Sequence, residues 1–336
     1  MANRALIVTD TSDLHADQVA VKLGAVGHTP FRLNLDAFPR DFDMTLSFAE
    51  GCWRGGLTHL PSGDVLPVET IGAVWMRKKA DFSYRSGDLL PQEKAYADGE
   101  MEHILFSMLY SLDCFWMSHP LAVRGASWKG EQLQRAARMG FDVPPSMITN
   151  RRADVEAFRR TIGGEMIFKT LSSPILGADE VAAEDRIAGH LSTTLITDED
   201  DDLLDAVAEL PSFFQPNVLK AYELRVTIIG DRVFAAKIHS QDDPRTAIDC
   251  RDMSAEISYE ADNLPAEVSR RCLEFVHSYG LTYGAIDLIV TPEGRYVFLE
   301  NNPVGQFLFV EQLVPSLDMT SHVARCLADA VQKGLP

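Results

Sequence analysis

Between Tyr283 and Asn302 the chain reads Tyr-Gly-Ala-Ile-Asp-Leu-Ile-Val-Thr-Pro-Glu-Gly-Arg-Tyr-Val-Phe-Leu-Glu-Asn-Asn, two strand-like runs on either side of Pro292, Glu293 and Gly294. Apolar runs interrupted by turn residues predict strand, turn, strand, and so commit this part of the chain to an antiparallel pair. If Glu293 and Gly294 form a two-residue loop, Pro292 pairs with Arg295, and counting outward sets Asp287 opposite Glu300. Asn302 lies two residues beyond Glu300 and returns to the same face. Carboxylates opposed across strands repel unless positive charge sits between them. A hard cation such as magnesium takes oxygen ligands of this kind and keeps phosphate oxygens in its remaining positions. A loop one residue longer would turn Glu300 to the other face. The plain alternative is a row of polar residues on a solvated hairpin.

A chain of 336 residues holds two or three structural units. Up to about Met117, strands alternate with helices: a strand over 4–9, an amphipathic helix over Asp13–Val26, and shorter strands over Met44–Phe48 and Ala73–Met76. This predicts a small α/β unit. Arg77, Lys78 and Lys79 read as an exposed basic strand end. A second unit begins near Ser118, with a helix over Gly125–Met139 closed by Gly140, an extended stretch over Phe141–Thr149 and a helix over Asp154–Thr161. The strand Met166–Lys169 then runs into the small-residue loop Thr170–Gly177. From Ser212 the pattern is strand-rich: Tyr222–Ile229 and Val233–His239 flank Gly230-Asp231-Arg232 as a second hairpin. A helix over Pro265–Tyr279 precedes the first hairpin, and a last helix covers Met319–Lys333. The expected units are 1–117, 118–211 and 212–336.

Composition excludes several classes. A net charge of -18 lacks the basic footprint that nucleic acid requires. The most apolar stretch, Ile104–Met117, is too short for a bilayer and is interrupted by Ser107, Ser111 and Asp113, which predicts a buried helix and no membrane span. The N-terminal residues show no secretory leader, and the five cysteines have no paired metal spacing, so free thiols in the cytoplasm are expected. The nine histidines show no zinc-ligand spacing. The run Asp198-Glu-Asp-Asp-Asp202 reads as a solvated loop ahead of a helix from Leu203. There is no Gly-x-Ser-x-Gly elbow, no Gly-x-x-x-x-Gly-Lys-Ser/Thr loop and no Gly-x-Gly-x-x-Gly opening a helix, which counts against covalent hydrolase, P-loop and Rossmann dehydrogenase readings.

Other residues carry chemistry by position. Lys169 ends a strand before a flexible loop, where an ammonium and loop amides can approach one anion. Lys129 opens a helix, as many solvated lysines do. Glu223 and Arg225 share one face of an otherwise apolar strand, where charges have a partner or a ligand; a structural ion pair is the alternative. Asp249-Cys250-Arg251 sets a guanidinium near a carboxylate, an arrangement suited to an acidic substrate.

Taken in order, Lys129, Lys169, Gln215-Pro-Asn-Val218, Glu223-Leu-Arg225 and the set Asp287, Glu300, Asn302 resemble an ATP-grasp ligase. Tyr-Glu-Leu-Arg-Val-Thr-Ile-Ile-Gly230, Ala-Lys-Ile-His-Ser-Gln241, Asp-Cys-Arg251 and Leu-Glu-Asn-Asn-Pro-Val-Gly-Gln-Phe307 are similar, more narrowly, to the graspetide synthetases, the microviridin-type ligases that macrocyclise ribosomal peptides. The resemblance implies an α/β ATP-grasp fold with an N-terminal α/β pre-ATP-grasp domain. It assigns Lys129 and Lys169 to the ATP phosphates, Gln215 to the adenine border, the backbone of Pro216 and Val218 to the hinge, and Glu223 to the ribose. Asp287, Glu300 and Asn302 would hold Mg2+. Arg225 and Lys237 would meet phosphate and the developing acyl phosphate, while Asp249 and Arg251 would orient the acceptor carboxylate. The implied partner is a precursor peptide with a leader segment and an acidic core, and the implied assembly is a homodimer. Two alternatives stay open: a RimK-type ligase joining an amino acid to a protein or small molecule, and an ATP-binding regulator without turnover.

Overall fold

The computed structural model describes residues 3–172, 193–251 and 254–333. The first layer contains β1 (Arg4–Thr9), α1 (Leu14–Ala25), β2 (Phe31–Asn34), β3 (Phe42–Ala49), β4 (Cys52–His59), β5 (Asp64–Pro67), β6 (Ile71–Met76), α2 (Pro91–Tyr110) and β7 (Phe115–Trp116). A parallel sheet has the order β2-β1-β6-β7, and β3-β4-β5 form a separate antiparallel ribbon. Asp13 starts α1 by accepting the His15 N–H, which satisfies one of the free donors of the first turn. Strand order reverses between β1 and β6, the point at which open parallel sheets hold ligands beyond their carboxyl ends.

The middle of the chain supplies α3 (Pro120–Gly125), α4 (Lys129–Arg138), β8 (Met147–Thr149), α5 (Arg152–Ile162), β9 (Met166–Lys169), β10 (Thr194–Ile196) and β11 (Ser212–Pro216). Their antiparallel sheet has the order β10-β9-β11-β8. Met166 and Phe214 face Val155 and Phe158 of α5. With a period of two, Ile167, Lys169, Phe213 and Gln215 share the opposite face.

The last part contributes β12 (Tyr222–Ile229), β13 (Arg232–Ile238), β14 (Tyr259–Asp262), α6 (Ala266–His277), β15 (Tyr283–Val290), β16 (Tyr296–Asn302), α7 (Leu308–Leu313) and α8 (Met319–Lys333). The five strands form one antiparallel sheet in the order β14-β13-β12-β15-β16. Leu224, Val226, Ile228, Ile286, Leu288 and Phe298 pack with Val268, Cys272, Phe275 and Val276 of α6. The other face carries the charged residues described below. Residues 217–221 join this sheet to the smaller one.

Several expectations hold and others need correction. The strand over 4–9 and the final helix form as read, and both hairpins form with altered turns: the second is one residue tighter, since Arg232 pairs with Ile229, and the first is described below. The helix expected over Gly125–Met139 is instead two, because the chain leaves helical geometry between Gly125 and Lys129. Only Met147–Thr149 of the extended stretch pairs as a strand, the preceding Pro144 and Pro145 lacking a ladder donor. The apolar run from Ile104 is helical to Tyr110 and then returns as β7. The acidic run is not a loop: Asp198–Ala208 is a 3-10 helix opened by a Thr197–Asp200 capping box, and Asp198 and Asp201 pair with Arg159. Arg77, expected to be exposed, is buried. Of the loop Thr170–Gly177, residues 173–177 lie outside the described residues. All five cysteines are free. No helix among the described residues is long and apolar enough to cross a membrane.

The last helix also departs from the expected division. Val323, Leu327 and Val331 of α8 share a core with Ala5 and Ile7 of β1 and with Ala16, Val19 and Leu23 of α1. The end of the chain thus completes the first layer. Leu327→Ala should therefore lower stability in urea by about 2–5 kcal/mol; a loss below about 1 kcal/mol would show that α8 is not part of that core.

Candidate functional site

The opposition of Asp287 and Glu300 is real, and it is reached by a different route from the one expected. The turn is one residue longer: Thr291 N donates to Arg295 O at 3.0 Å, and Gly294 N to Thr291 O at 2.8 Å, with Gly294 at φ +80°. This is a three-residue loop whose last residue needs the left-handed region. Leu288 consequently pairs with Phe298, a register that alone would send Glu300 to the α6 face. A bulge at Leu299, the extra residue between Phe298 and Glu300, shifts the register back, so Asp287 pairs with Glu300 and Ala285 with Asn302.

Two cations meet the two carboxylates. Arg225, the register partner of Asp287 on β12, donates from Nη1 to both Asp287 oxygens at 2.7 and 2.8 Å. Lys129, at the start of α4, places Nζ 2.8 Å from Glu300 Oε2 and donates to Thr170 O at 3.3 Å. Burial pushes the Asp287 carboxyl up to about 6, with Arg225 pulling against that rise and Glu300 adding to it. Burial acts on Glu300 in the same sense, but Lys129, Lys169 and Arg251 together hold it below the ordinary carboxylate value. Burial lowers the Lys169 ammonium, with Glu300 opposing. Lys169 of the smaller sheet and Arg251 therefore act on the same carboxylate as Lys129.

Asp249 and Arg251 close this ring of charge. Arg251 Nε donates to Asp249 Oδ1 at 2.8 Å, while Asp249 Oδ2 accepts the Thr193 N–H at 3.0 Å, which ties the two sheets together. Asp249 stays well below the usual carboxylate range; burial opposes this, and Arg251 and backbone donors outweigh it. The Cys250 thiol between them is pushed up by burial and remains protonated. Glu223 accepts from Lys220 Nζ at 2.8 Å, and Lys220 also donates to Ile248 O at 3.0 Å. Gln215 is buried and spends its amide on Ser146 Oγ at 2.9 Å. Pro216 ends β11, and Val218 lies in the joining segment.

One expected residue is elsewhere. Lys237 pairs in register with Leu224, so it shares the α6 face of the sheet, 4.5 Å from the Tyr222 ring centroid and 3.0 Å from Glu260. Two residues of the site escaped the sequence reading. Lys220 carries only the weak signal of lying three residues before Glu223. Gln132 is 1% exposed on the face of α4 that carries Lys129; its Nε2 donates to Asn301 O at 2.8 Å and to Ala126 O at 2.6 Å, and its Oε1 accepts Asn301 N at 2.8 Å. A side-chain amide thus stands in for a neighbouring strand, and it fixes Lys129 over Glu300.

Among the described residues no three His, Cys, Asp or Glu side chains converge as a metal-binding group. Asp287, Glu300 and Asn302 instead offer two carboxylates and an amide on one face, a hard-oxygen set that fits magnesium completed by phosphate and water. Asn302 is exposed, and its Oδ1 accepts Val304 N at 3.2 Å.

Gln132→Leu should cost about 2 kcal/mol or more in denaturant, because it strands buried backbone groups of Asn301 and Ala126; an unchanged midpoint would remove the clamp. Because the Asp249 carboxyl is depressed on folding, its contribution is complete above an unfolded value near pH ~4 and is lost as pH falls. Asp249→Asn should therefore flatten the acid limb of a stability–pH curve, and an identical limb would contradict the pairing.

Comparisons with known proteins match the chain along nearly its whole length. Residues 4–124 match the family model of the MvdD pre-ATP grasp domain. No curated protein matches the chain. The macrocyclase MdnC from Microcystis aeruginosa MRC, solved bound to precursor peptide MdnA, is 30% identical over 97% of this chain and 99% of its own, with a TM-score of 0.81. A RiPP-associated ATP-grasp ligase of Chryseobacterium gregarium, in complex with ADP and a leader and core peptide, is 28% identical over 97% of each chain, with a TM-score of 0.84. The macrocyclase MdnB from Microcystis aeruginosa MRC is 25% identical over 97% of this chain and 99% of its own, with a TM-score of 0.76. With the ordered charge ring of the two sheets and an MdnC-like sequence along nearly its whole length, the chain belongs to the graspetide synthetase family of ATP-grasp ligases.

Proposed function

We propose that the protein is an ATP-dependent peptide macrocyclase acting on a ribosomal precursor that carries a leader segment and an acidic core. The observation that carries this is the convergence of Lys129, Lys169, Arg225 and Arg251 on Asp287 and Glu300 where the two antiparallel sheets meet. Four cations around two carboxylates suit a transferring phosphoryl group, whose charge is spread over its oxygens. The complex of the C. gregarium ligase with ADP and with leader and core peptide supports the same choice of substrates.

In this reading a side-chain carboxylate oxygen of a substrate Asp or Glu attacks the γ-phosphorus of ATP. The bond to the β,γ-bridging oxygen breaks, and ADP leaves with that electron pair. A Thr or Ser hydroxyl, or a Lys amine, then attacks the acyl carbon. It loses its proton and expels inorganic phosphate, which closes an ester or an amide. Asp249 holds the Arg251 fork for the incoming carboxylate. Lys129 and Lys169 bind phosphate, the backbone of Pro216 and Val218 with Gln215 borders the base, and Glu223, held by Lys220, takes the ribose hydroxyls. Magnesium held by Asp287, Glu300 and Asn302 would neutralise charge on the phosphates. Arg225 keeps Asp287 ionised in place. The half-buried, protonated Cys250 is no nucleophile, in keeping with chemistry in which the substrate supplies both reacting groups. We place the enzyme in the cytoplasm, in keeping with its five free thiols, and as a homodimer, which light scattering of the purified protein would test.

Incubation with ATP, Mg2+ and the acidic peptide encoded beside the gene should lower the peptide mass by one water per ring. ADP release driven by a free amino acid, with the peptide mass unchanged, would favour the RimK-type alternative; tight ATP binding without turnover would favour the regulator. Arg251→Ala and Glu300→Gln should each reduce turnover about a hundredfold or more. Lys237→Ala, on the far face, should stay within about threefold; a loss as deep as that of Arg251→Ala would restore Lys237 to the reaction.

A further inference from the structure

The switch point of the parallel sheet holds a buried polar group that the reaction does not use. Thr9 ends β1, Asp13 caps α1, His15 lies in its first turn and Arg77 follows β6; all four are buried. Thr9 Oγ1 donates to Asp13 Oδ2 at 2.6 Å, and Asp13 Oδ1 lies 3.3 Å from His15 Nδ1. On its other side, His15 Nε2 accepts the backbone N–H of Phe307 at 3.3 Å and of Leu308 at 3.2 Å. The imidazole edge packs on the Phe307 ring, 4.8 Å between centroids at 80°. Arg77 Nη1 donates to Val304 O at 3.3 Å. The place where an open α/β sheet ordinarily receives a ligand is filled by the chain's own loop, residues 303–307.

That loop begins at Asn302. Its far end is the pair of N–H groups held by His15. Between them there is no slack: Tyr283 Oη donates to Gly305 O at 2.7 Å, and a Cβ at Gly305 would lie 2.8 Å from the Cβ of Ala285, the register partner of Asn302. An Nε2 that accepts two N–H groups carries no proton, so the ring proton is on Nδ1, toward Asp13. Asp13 Oδ1 is placed to accept that proton, Arg77 Nη2 stands 3.4 Å from the same nitrogen, and the Nε2 lone pair grips the loop.

We propose that His15 is a positioning residue for the metal–nucleotide site: by holding Phe307 and Leu308 it sets Asn302 from the N-terminal layer, some 290 residues away in sequence, as the separations of 292 and 293 record. This rests on Asn302 being a magnesium ligand, as proposed above. The test compares wild type, His15→Phe and His15→Gln by amide hydrogen exchange of the nucleotide-free protein and by calorimetric ADP binding with and without Mg2+. His15→Phe should raise exchange at Phe307 and Leu308 about tenfold, the size of one lost hydrogen bond. It should weaken ADP binding about tenfold with Mg2+ and leave Mg2+-free binding within about twofold. His15→Gln, whose side-chain carbonyl can accept the same donors, should recover most of both. Unchanged exchange at the two amides, or equal weakening with and without Mg2+, overturns the proposal. If His15→Phe does not fold, His15→Met, which also removes the acceptor of the two N–H groups, is read by the same two measurements and against the same outcomes. A wild type that binds ADP no better with Mg2+ than without overturns the metal assignment and the coupling together; exchange then still decides whether His15 holds the loop.

Discussion

Two carboxylates facing each other across a β-hairpin organise this molecule. At about 5 Å and an effective dielectric of about 20, like charges repel by roughly 3 kcal/mol, so Asp287 and Glu300 need compensation in the folded state. Each neighbouring unit supplies part of it. Arg225 comes from the adjacent strand of the same sheet, Lys129 from α4, Lys169 from the smaller sheet and Arg251 from the segment after β13. In the function proposed above, ATP phosphates would compete with the carboxylates for the same cations, so the charge that stabilises the folded site would also receive the nucleotide.

Much of this was legible in the sequence, and the failures have physical causes. Glu223 and Arg225 share a face because a strand alternates with period two, and their charges did find partners, Lys220 and Asp287. Lys237 fails for the same reason: its parity in β13 matches Leu224, and a local motif does not reveal parity when the partner strand's register is unknown. Gln132 was unreadable, since a polar residue in a short helix gives no sign that its amide will serve as a strand's partner. The hairpin gave the right opposition through two errors that cancel, an extra turn residue and a bulge, and neither is marked by composition.

The division of the chain into units is subtler than alternating patterns suggest. The C-terminal helix α8 returns to the first layer, and the 303–307 loop fills that layer's switch point. Both contacts join residues far apart in sequence, so no local signal announces them. They pack the N-terminal layer against the end of β16 that carries Glu300 and Asn302.

The bulge at Leu299 has a consequence for how this protein can change over generations. Loop length and bulge form a matched pair: each alone inverts the faces of β16, and only together do they leave Glu300 beside Asp287. A lineage that lost one residue from the turn would survive by losing another a few positions later, and variants with one change would be purged. Relatives would then differ here by compensated single-residue gaps on both sides of the Tyr-Val-Phe core, a signature that substitution patterns alone would miss.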